Sequence, residues 1–214
     1  MKPETRVFLA GHRGLVGSSF LRRFRDEGYA HVEVRTRREL DLTQAAAVEA
    51  CFRDVRPDIV ILAAARVGGI QVNQEKPADF VLDNLLIQTS VVRAAFLAGV
   101  RTLLYFGSAC LYPRECPQPM RESAIGTGAM EPTSEAYSSA KWAGLVLCRS
   151  FNAQHGTNYM TVIPSTLYGP GDNFDPASGH VVSGLLRRFH EAKAAGAPAK
   201  VWGSGNAVRE FLYV

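Results

Sequence analysis

The sequence predicts an α/β fold: a Rossmann-type, doubly wound parallel sheet followed by the start of a smaller substrate-binding region, truncated at its C-terminus. Three observations predict it. Short apolar runs recur along the chain, as in strands buried on both faces of a parallel sheet. Segments with helical apolar spacing separate them. A Gly-x-x-Gly-x-x-Gly turn joins the first run to the first helical segment.

Val7-Phe8-Leu9-Ala10 is the first strand, and Val16, Phe20, Leu21 and Phe24 form one apolar helix stripe that stops near Gly28. Val32-Glu33-Val34 is the second strand. Val48, Cys51, Phe52 and Val55 give the second helix, with Thr43 as its N-cap. Ile59-Val60-Ile61-Leu62-Ala63, Leu103-Leu104-Tyr105-Phe106 and Met160-Thr161-Val162-Ile163 supply three more strands, separated by long helices over 84–96 and 137–154. This βαβ alternation puts ligands at the carboxyl ends of the strands. After Pro164 the pattern loosens into a turn-rich loop through Ser178, a helix over 181–194 and a strand beginning at Lys200-Val201-Trp202. The expected division is a cofactor-binding domain over 1–164 and a partial substrate region over 165–214. The closing apolar run, Phe211-Leu212-Tyr213-Val214, has no stop signal after it and reads as a chain cut inside an element.

Of 214 residues, 47% are hydrophobic and 21% charged, which excludes a disordered or fibrous chain. Lysine and arginine outnumber acids only 24 to 20 and form no long basic block, so no nucleic-acid partner is expected. The polar start carries no secretory signal, and no run approaches the ~20 apolar residues of a membrane span, so the expectation is a cytoplasmic protein off the membrane. Cys51, Cys110, Cys116 and Cys148 lack metal-finger or disulfide-framework spacing, and no metal is expected.

Gly11-His12-Arg13-Gly14-Leu15-Val16-Gly17 lies between strand and helix, where glycines let the backbone approach a pyrophosphate at a helix N-terminus. After the second strand an NAD enzyme places a carboxylate for the ribose 2′-hydroxyl; this chain reads Arg35-Thr36-Arg37-Arg38. Arg37, with Arg13, suits a 2′-phosphate, so NADP is the expected cofactor, although a solvated basic loop end is the plain alternative. Asp41-Leu42 is placed to flank the adenine, or only to start the next helix.

Tyr137 and Lys141, four positions apart on a helix, share one face. Ser108 follows the fourth strand. A carbonyl reduction needs a proton for the developing alkoxide, and a phenol with a reference pKa of about 10 serves better when a cation lowers that value. Lys141 is the expected cation, and Ser108 the hydrogen-bond donor that aligns the carbonyl.

At this point the chain resembles the extended short-chain dehydrogenase/reductases. Within them it is similar to the bifunctional epimerase-reductases that convert GDP-4-keto-6-deoxy-D-mannose to GDP-L-fucose. The resemblance is carried by Gly11-His12-Arg13-Gly14, Leu62-Ala63-Ala64-Ala65-Arg66-Val67-Gly68-Gly69, Gly107-Ser108-Ala109-Cys110-Leu111-Tyr112-Pro113, Tyr137-Ser138-Ser139-Ala140-Lys141, Leu167-Tyr168-Gly169-Pro170 and Trp202-Gly203-Ser204-Gly205. It implies that Ser108, Tyr137 and Lys141 form the reductase set, and that Cys110 and His180 are the acid-base pair of epimerisation. It also implies cofactor contacts from Pro164, Leu167 and His180, and a GDP-sugar site holding Arg188, Trp202 and Arg209. Finally, it implies a homodimer through the helices near 84–98 and 137–154. By residue type alone, Cys110 and His180 read as structural. Thr166 stands where the family carries Asn. The rivals are an NAD-dependent 4-epimerase or dehydratase of the same family and a non-catalytic NADP-binding module. Ala109-Cys110, in place of the dehydratases' Asp-Glu pair, argues against dehydration, and the intact Tyr-x-x-x-Lys argues against a non-catalytic module.

Overall fold

The computed structural model describes residues 1–175, 178–201 and 203–214. Five strands, β1 (Val7–Ala10), β2 (Val32–Glu33), β3 (Ile59–Leu62), β4 (Thr102–Phe106) and β5 (Asn158–Val162), form one all-parallel sheet in the order β2-β1-β3-β4-β5. The chain builds outward from β1 to β2, then crosses to β3 and continues the other way. A crevice therefore opens between β1 and β3 at their carboxyl ends, where such sheets bind ligands.

Strand alternation divides the core in two. Phe8, Ala10, Val60, Leu62, Leu103 and Tyr105 face one side, where they meet Val48 and Phe52 of α2 (Ala45–Val55) and Val91, Val92 and Ala95 of α4 (Pro77–Leu97). Val7, Leu9 and Ile61 face the other side, against Phe20, Leu21 and Phe24 of α1 (Leu15–Asp26). Fully burying side chains of this size contributes about 1.5–3 kcal/mol each. α5 (Glu135–His155) packs beside α4, and buried Gln88 locks the pair to the sheet: its amide donates to Ala140 O (2.8 Å) and accepts the Tyr105 hydroxyl (2.8 Å). The strands were expected to be buried on both faces, but β5 departs from this, with Met160 and Val162 exposed on the α1 side. α1 packs mainly on β1, and its Phe20 extends to Phe106 of β4 (5.9 Å between centroids).

Other sequence expectations are also corrected. Thr43 is not an N-cap. Asp41 accepts both its N–H (3.0 Å) and its hydroxyl (2.8 Å), and α2 starts after Gln44, which gives no side-chain cap. The fourth helix begins at Pro77, where the missing N–H is harmless, seven residues before the expected start. A short helix, α3 (Ile70–Glu75), precedes it unpredicted. α4 is long and apolar enough to pass for a membrane span, contrary to the run-length reading, yet it packs between α2 and α5 on the sheet. The presumed loop after Pro164 contains β6 (Thr166–Tyr168), which pairs in parallel with β7 (Phe211–Tyr213) as a separate two-stranded sheet. α6 (Val181–Ala195) lies between them in sequence. Lys200 and Val201 are not in a strand, and Trp202 lies outside the described residues.

Candidate active site

At the β1/β3 crevice the glycine turn forms a cradle that side chains would fill. Gly11 adopts φ +89°, and a Cβ there would lie 2.6 Å from Ala64 N; a Cβ on Gly17 would lie 2.1 Å from Gly11 O. Gly14 N–H closes the turn on Gly11 O (3.0 Å). Gly14 is also the N-cap of α1, which has no acidic residue in its first turn, so its positive end is open to an anion. Among the described residues His12 Nδ1 is buried without a hydrogen-bond partner, and burial together with Arg13 lowers its imidazole below the ordinary range. A glycine cradle, an open helix N-terminus and an orphaned ring nitrogen fit a bound dinucleotide.

Past β2 the carboxylates are committed within the protein. Glu33 pairs with Arg35 (2.9 Å). Glu39 accepts the Thr36 N–H (2.7 Å) and hydroxyl (2.8 Å), and Asp41 holds Thr43; these bonds hold both carboxyls below their usual range. Arg37, by contrast, is 75% exposed in its side chain, and its approach to Asp41 is long, 3.8 Å. Arg13 is exposed nearby in sequence to the cradle. Leu42 packs partly buried against the α2 core. The open groups at this end of the crevice are therefore cations, which matches a phosphate better than a hydroxyl pair.

Beyond β4, Ser108 has extended backbone and caps a 3₁₀ turn, Ala109–Leu111, by accepting Cys110 N–H at its Oγ (3.3 Å). That contact occupies an acceptor lone pair and leaves the hydroxyl proton to be directed elsewhere. Tyr137, on the first turn of α5, lies near enough to Ser108 for that hydroxyl to oppose the effect of burial on its phenol, and it packs edge-on against Phe80 (6.4 Å between centroids). Lys141, 4% exposed, donates to Phe106 O (2.7 Å) and sits over the rings of Tyr105 (4.9 Å) and Tyr137 (5.8 Å). The structure thus brings the three expected residues together. It corrects their electrostatics, because burial pulls the ammonium down to about 8 and, with Cys110, pushes the Tyr137 phenol above its ordinary value. The ammonium is bound to a carbonyl and meets Tyr137 at its ring, so desolvation outweighs the expected lowering.

Cys110, partly buried, lies beside Ser108 and Tyr137. His180 is the N-cap of α6, with Nδ1 3.9 Å from Asp172. The loop before it reaches the cradle: a Cβ on Gly171 would come within 3.3 Å of Ser18 Oγ in α1. Pro164 follows β5, and Leu167 in β6 pairs with Leu212. Thr166, in the same strand, pairs with Phe211. Arg188 is half-buried on α6, whereas exposed Arg209 donates to the adjacent Val208 O (3.2 Å).

Sequence reading missed the clasp that shapes this crevice. Asn84 holds both backbone groups of Arg66, accepting its N–H (2.9 Å) and donating to its O (3.0 Å). The Arg66 guanidinium spans Asp79 (2.9 Å) and Asp83 (2.7 Å) and stacks on Phe80 (5.6 Å). The acids are four apart on α4, a visible helical pair, but nothing in the sequence names their cation.

The chain matches the NAD dependent epimerase/dehydratase family over residues 7–214. It is 50% identical to GDP-L-fucose synthase 1 of Arabidopsis thaliana over 212 residues, 99% of this chain and 66% of that protein. Identity and both coverages are the same for the GDP-L-fucose synthase of Escherichia coli (strain K12). The chain thus spans 66% of the length of these curated relatives. Among solved structures, it is similar to a GDP-L-fucose synthetase from Naegleria fowleri bound to NADP. The TM-score is 0.90 at 29% identity, over 100% of this chain and 70% of that one. Because the family match runs from the first strand of the cradle through the Tyr137–Lys141 helix to β7, this chain belongs to the NAD dependent epimerase/dehydratase family.

Proposed function

We propose that the protein converts GDP-4-keto-6-deoxy-D-mannose to GDP-L-fucose, by 3,5-epimerisation followed by NADPH-dependent reduction of the 4-ketone. The observation that carries this reading is the buried Lys141, held on Phe106 O and facing the Tyr137 ring, with Ser108 beside them at the carboxyl end of β4. The names of the relatives at 50% identity support the substrate, and the committed carboxylates beside open Arg37 and Arg13 support NADP over NAD.

Bound NADPH supplies the hydride for carbon 4. The glycine cradle and the N-terminus of α1 hold its pyrophosphate, and Arg37 with Arg13 holds the 2′-phosphate. Ser108 donates a hydrogen bond to the carbonyl oxygen, and Tyr137 gives that oxygen its proton as the alkoxide forms. Lys141, with one of its three donors on Phe106 O, has two left for the sugar or ribose hydroxyls and steadies the charge left on Tyr137. For epimerisation, Cys110 and His180 exchange protons at carbons 3 and 5, which the 4-ketone acidifies. Arg188, Trp202 and Arg209 contribute to the GDP-sugar site, and the enzyme is a homodimer through α4 and α5.

The decisive experiment incubates the full-length protein with NADPH and a panel of 4-keto-6-deoxy sugar nucleotides, following loss of reduced cofactor. In parallel, proton NMR in deuterium oxide without NADPH follows exchange at carbons 3 and 5. Cys110→Ser should lose exchange while still reducing the unepimerised ketone, since a hydroxyl proton is far harder to remove than a thiol proton. Wild-type exchange in Cys110→Ser removes the epimerase half of the reading. Absence of NADPH oxidation with every 4-keto sugar removes the reductase half.

A further inference from the structure

The turn between β6 and α6 holds a carboxylate to which the proposed chemistry gives no task. Turn aspartates are ordinarily solvated, but the Asp172 side chain is only 5% exposed. Its Oδ1 accepts Asn173 N–H (2.8 Å) and stands 3.9 Å from Nδ1 of His180, whose side chain is 40% exposed.

Both partners are fixed from behind. Asp172 N–H closes the turn on Gly169 O (3.2 Å), and Gly171 packs toward Ser18 of α1. Ser178 is held through its N–H and hydroxyl by Asp175 (2.9 Å each), and its carbonyl accepts Gly69 N–H (3.2 Å). The His180 carbonyl accepts Gly184 N–H (2.8 Å) and the Ser183 hydroxyl (3.1 Å) at the start of α6. The remaining freedom is rotation of the imidazole, and a small rotation closes 3.9 Å to hydrogen-bond range.

A buried carboxylate gains most from a donor facing it. A neutral imidazole donates from one nitrogen only, and the partner of that nitrogen decides which tautomer is present. We propose that Asp172 is the positioning residue of His180: it holds the ring as the Nδ1–H tautomer, which leaves Nε2 as the atom that exchanges a proton with the sugar. This rests on the proposed acid-base role of His180.

The test uses the full-length protein with ¹⁵N-labelled histidine, the His180 ring signals being assigned by their loss in His180→Asn. The expected result is a neutral ring carrying its proton on Nδ1 in the wild type and on Nε2 in Asp172→Ala, which leaves no acceptor facing Nδ1; Asp172→Asn, whose amide oxygen is held by Asn173 N–H, should keep the wild-type tautomer. Deuterium exchange into the keto-sugar should fall tenfold or more in Asp172→Ala, within the ~10²–10⁴ that a positioned acid or base supplies. NADPH-linked ketone reduction should fall much less. Should Asp172→Ala disturb the turn, Asp172→Ser keeps an acceptor for Asn173 N–H but is too short to reach the ring, and the same tautomer change is expected. An unchanged tautomer and unchanged exchange in Asp172→Ala and Asp172→Ser, with exchange abolished in His180→Asn, overturns the positioning role alone. Wild-type exchange in His180→Asn overturns the acid-base reading beneath it, and the proposal with it.

Discussion

Lys141 combines near-complete burial with a positive charge, and its behaviour with pH follows. Desolvation lowers it from 10.5 to about 8, so between those values the unfolded chain binds more protons than the folded one, and this group makes stability rise with pH. Tyr137, Cys148 and Tyr159, all raised by burial, act in the opposite sense. The difference between wild type and Lys141→Met isolates the lysine. From pH 7.5 to 10.5 urea unfolding should show the wild type gaining on the variant by about 3 kcal/mol at most; a flat difference would show the ammonium to be well solvated. Tyr137→Phe keeps the contact with Phe80 and removes the proton donor. Ketone reduction should drop by about 10² to 10⁴ with NADPH affinity retained, and near wild-type turnover would place proton donation elsewhere. Arg37→Ala should weaken NADPH binding by about 1.5–3 kcal/mol and leave NADH nearly unchanged, with equal losses in titration contradicting the 2′-phosphate contact. The identities of these residues were legible in the sequence because each pairs a chemical type with a place after a strand. Their protonation was not, because desolvation depends on Tyr105, Phe106 and Tyr137, which enclose the ammonium only after folding.

At the scale of elements, the turn and α1 act as one piece. Gly17→Ala would put a methyl 2.1 Å from Gly11 O, so the backbone must shift. The expected outcome is a loss of about 1–3 kcal/mol in thermal or urea unfolding, together with at least tenfold weaker NADPH binding. Gly184→Ala is the control: its Cβ on α6 meets nothing within 4 Å, and helix propensity predicts a gain of up to about 1 kcal/mol. Equal behaviour of the two variants would mean that the cradle yields easily. The strands and the stripes of α1 and α2 were readable because period 2 and period 3.6 report directly on burial. α3 was not, since its six residues hold too few turns for a stripe, and the early start of α4 was hidden because Arg66, Asn84 and Phe80 join segments 14 to 18 residues apart. β6 and β7 escaped for a related reason: among the described residues they pair only with each other, across more than 40 residues, and they carry no alternating pattern.

At the scale of the molecule, α4 and α5 cover one face of the sheet and leave Leu82, Leu86 and Val146 exposed. If these helices form the proposed homodimer, Leu86→Glu should convert the full-length protein from dimer to monomer in sedimentation at micromolar concentration, while a wild-type monomer would discard the dimer. What the sequence by itself determined is the doubly wound sheet, the glycine cradle between β1 and α1, and the Ser108, Tyr137 and Lys141 set. Each of these is written locally, in a periodicity, a turn chemistry or a four-residue spacing. Only the tertiary structure decided that the carboxylates after β2 are occupied within the protein, that Lys141 is driven toward neutrality on the Phe106 carbonyl, and that Asp172 faces His180. Those outcomes depend on which groups lose water together. Desolvation is a property of three-dimensional enclosure, and no spacing along the chain records it.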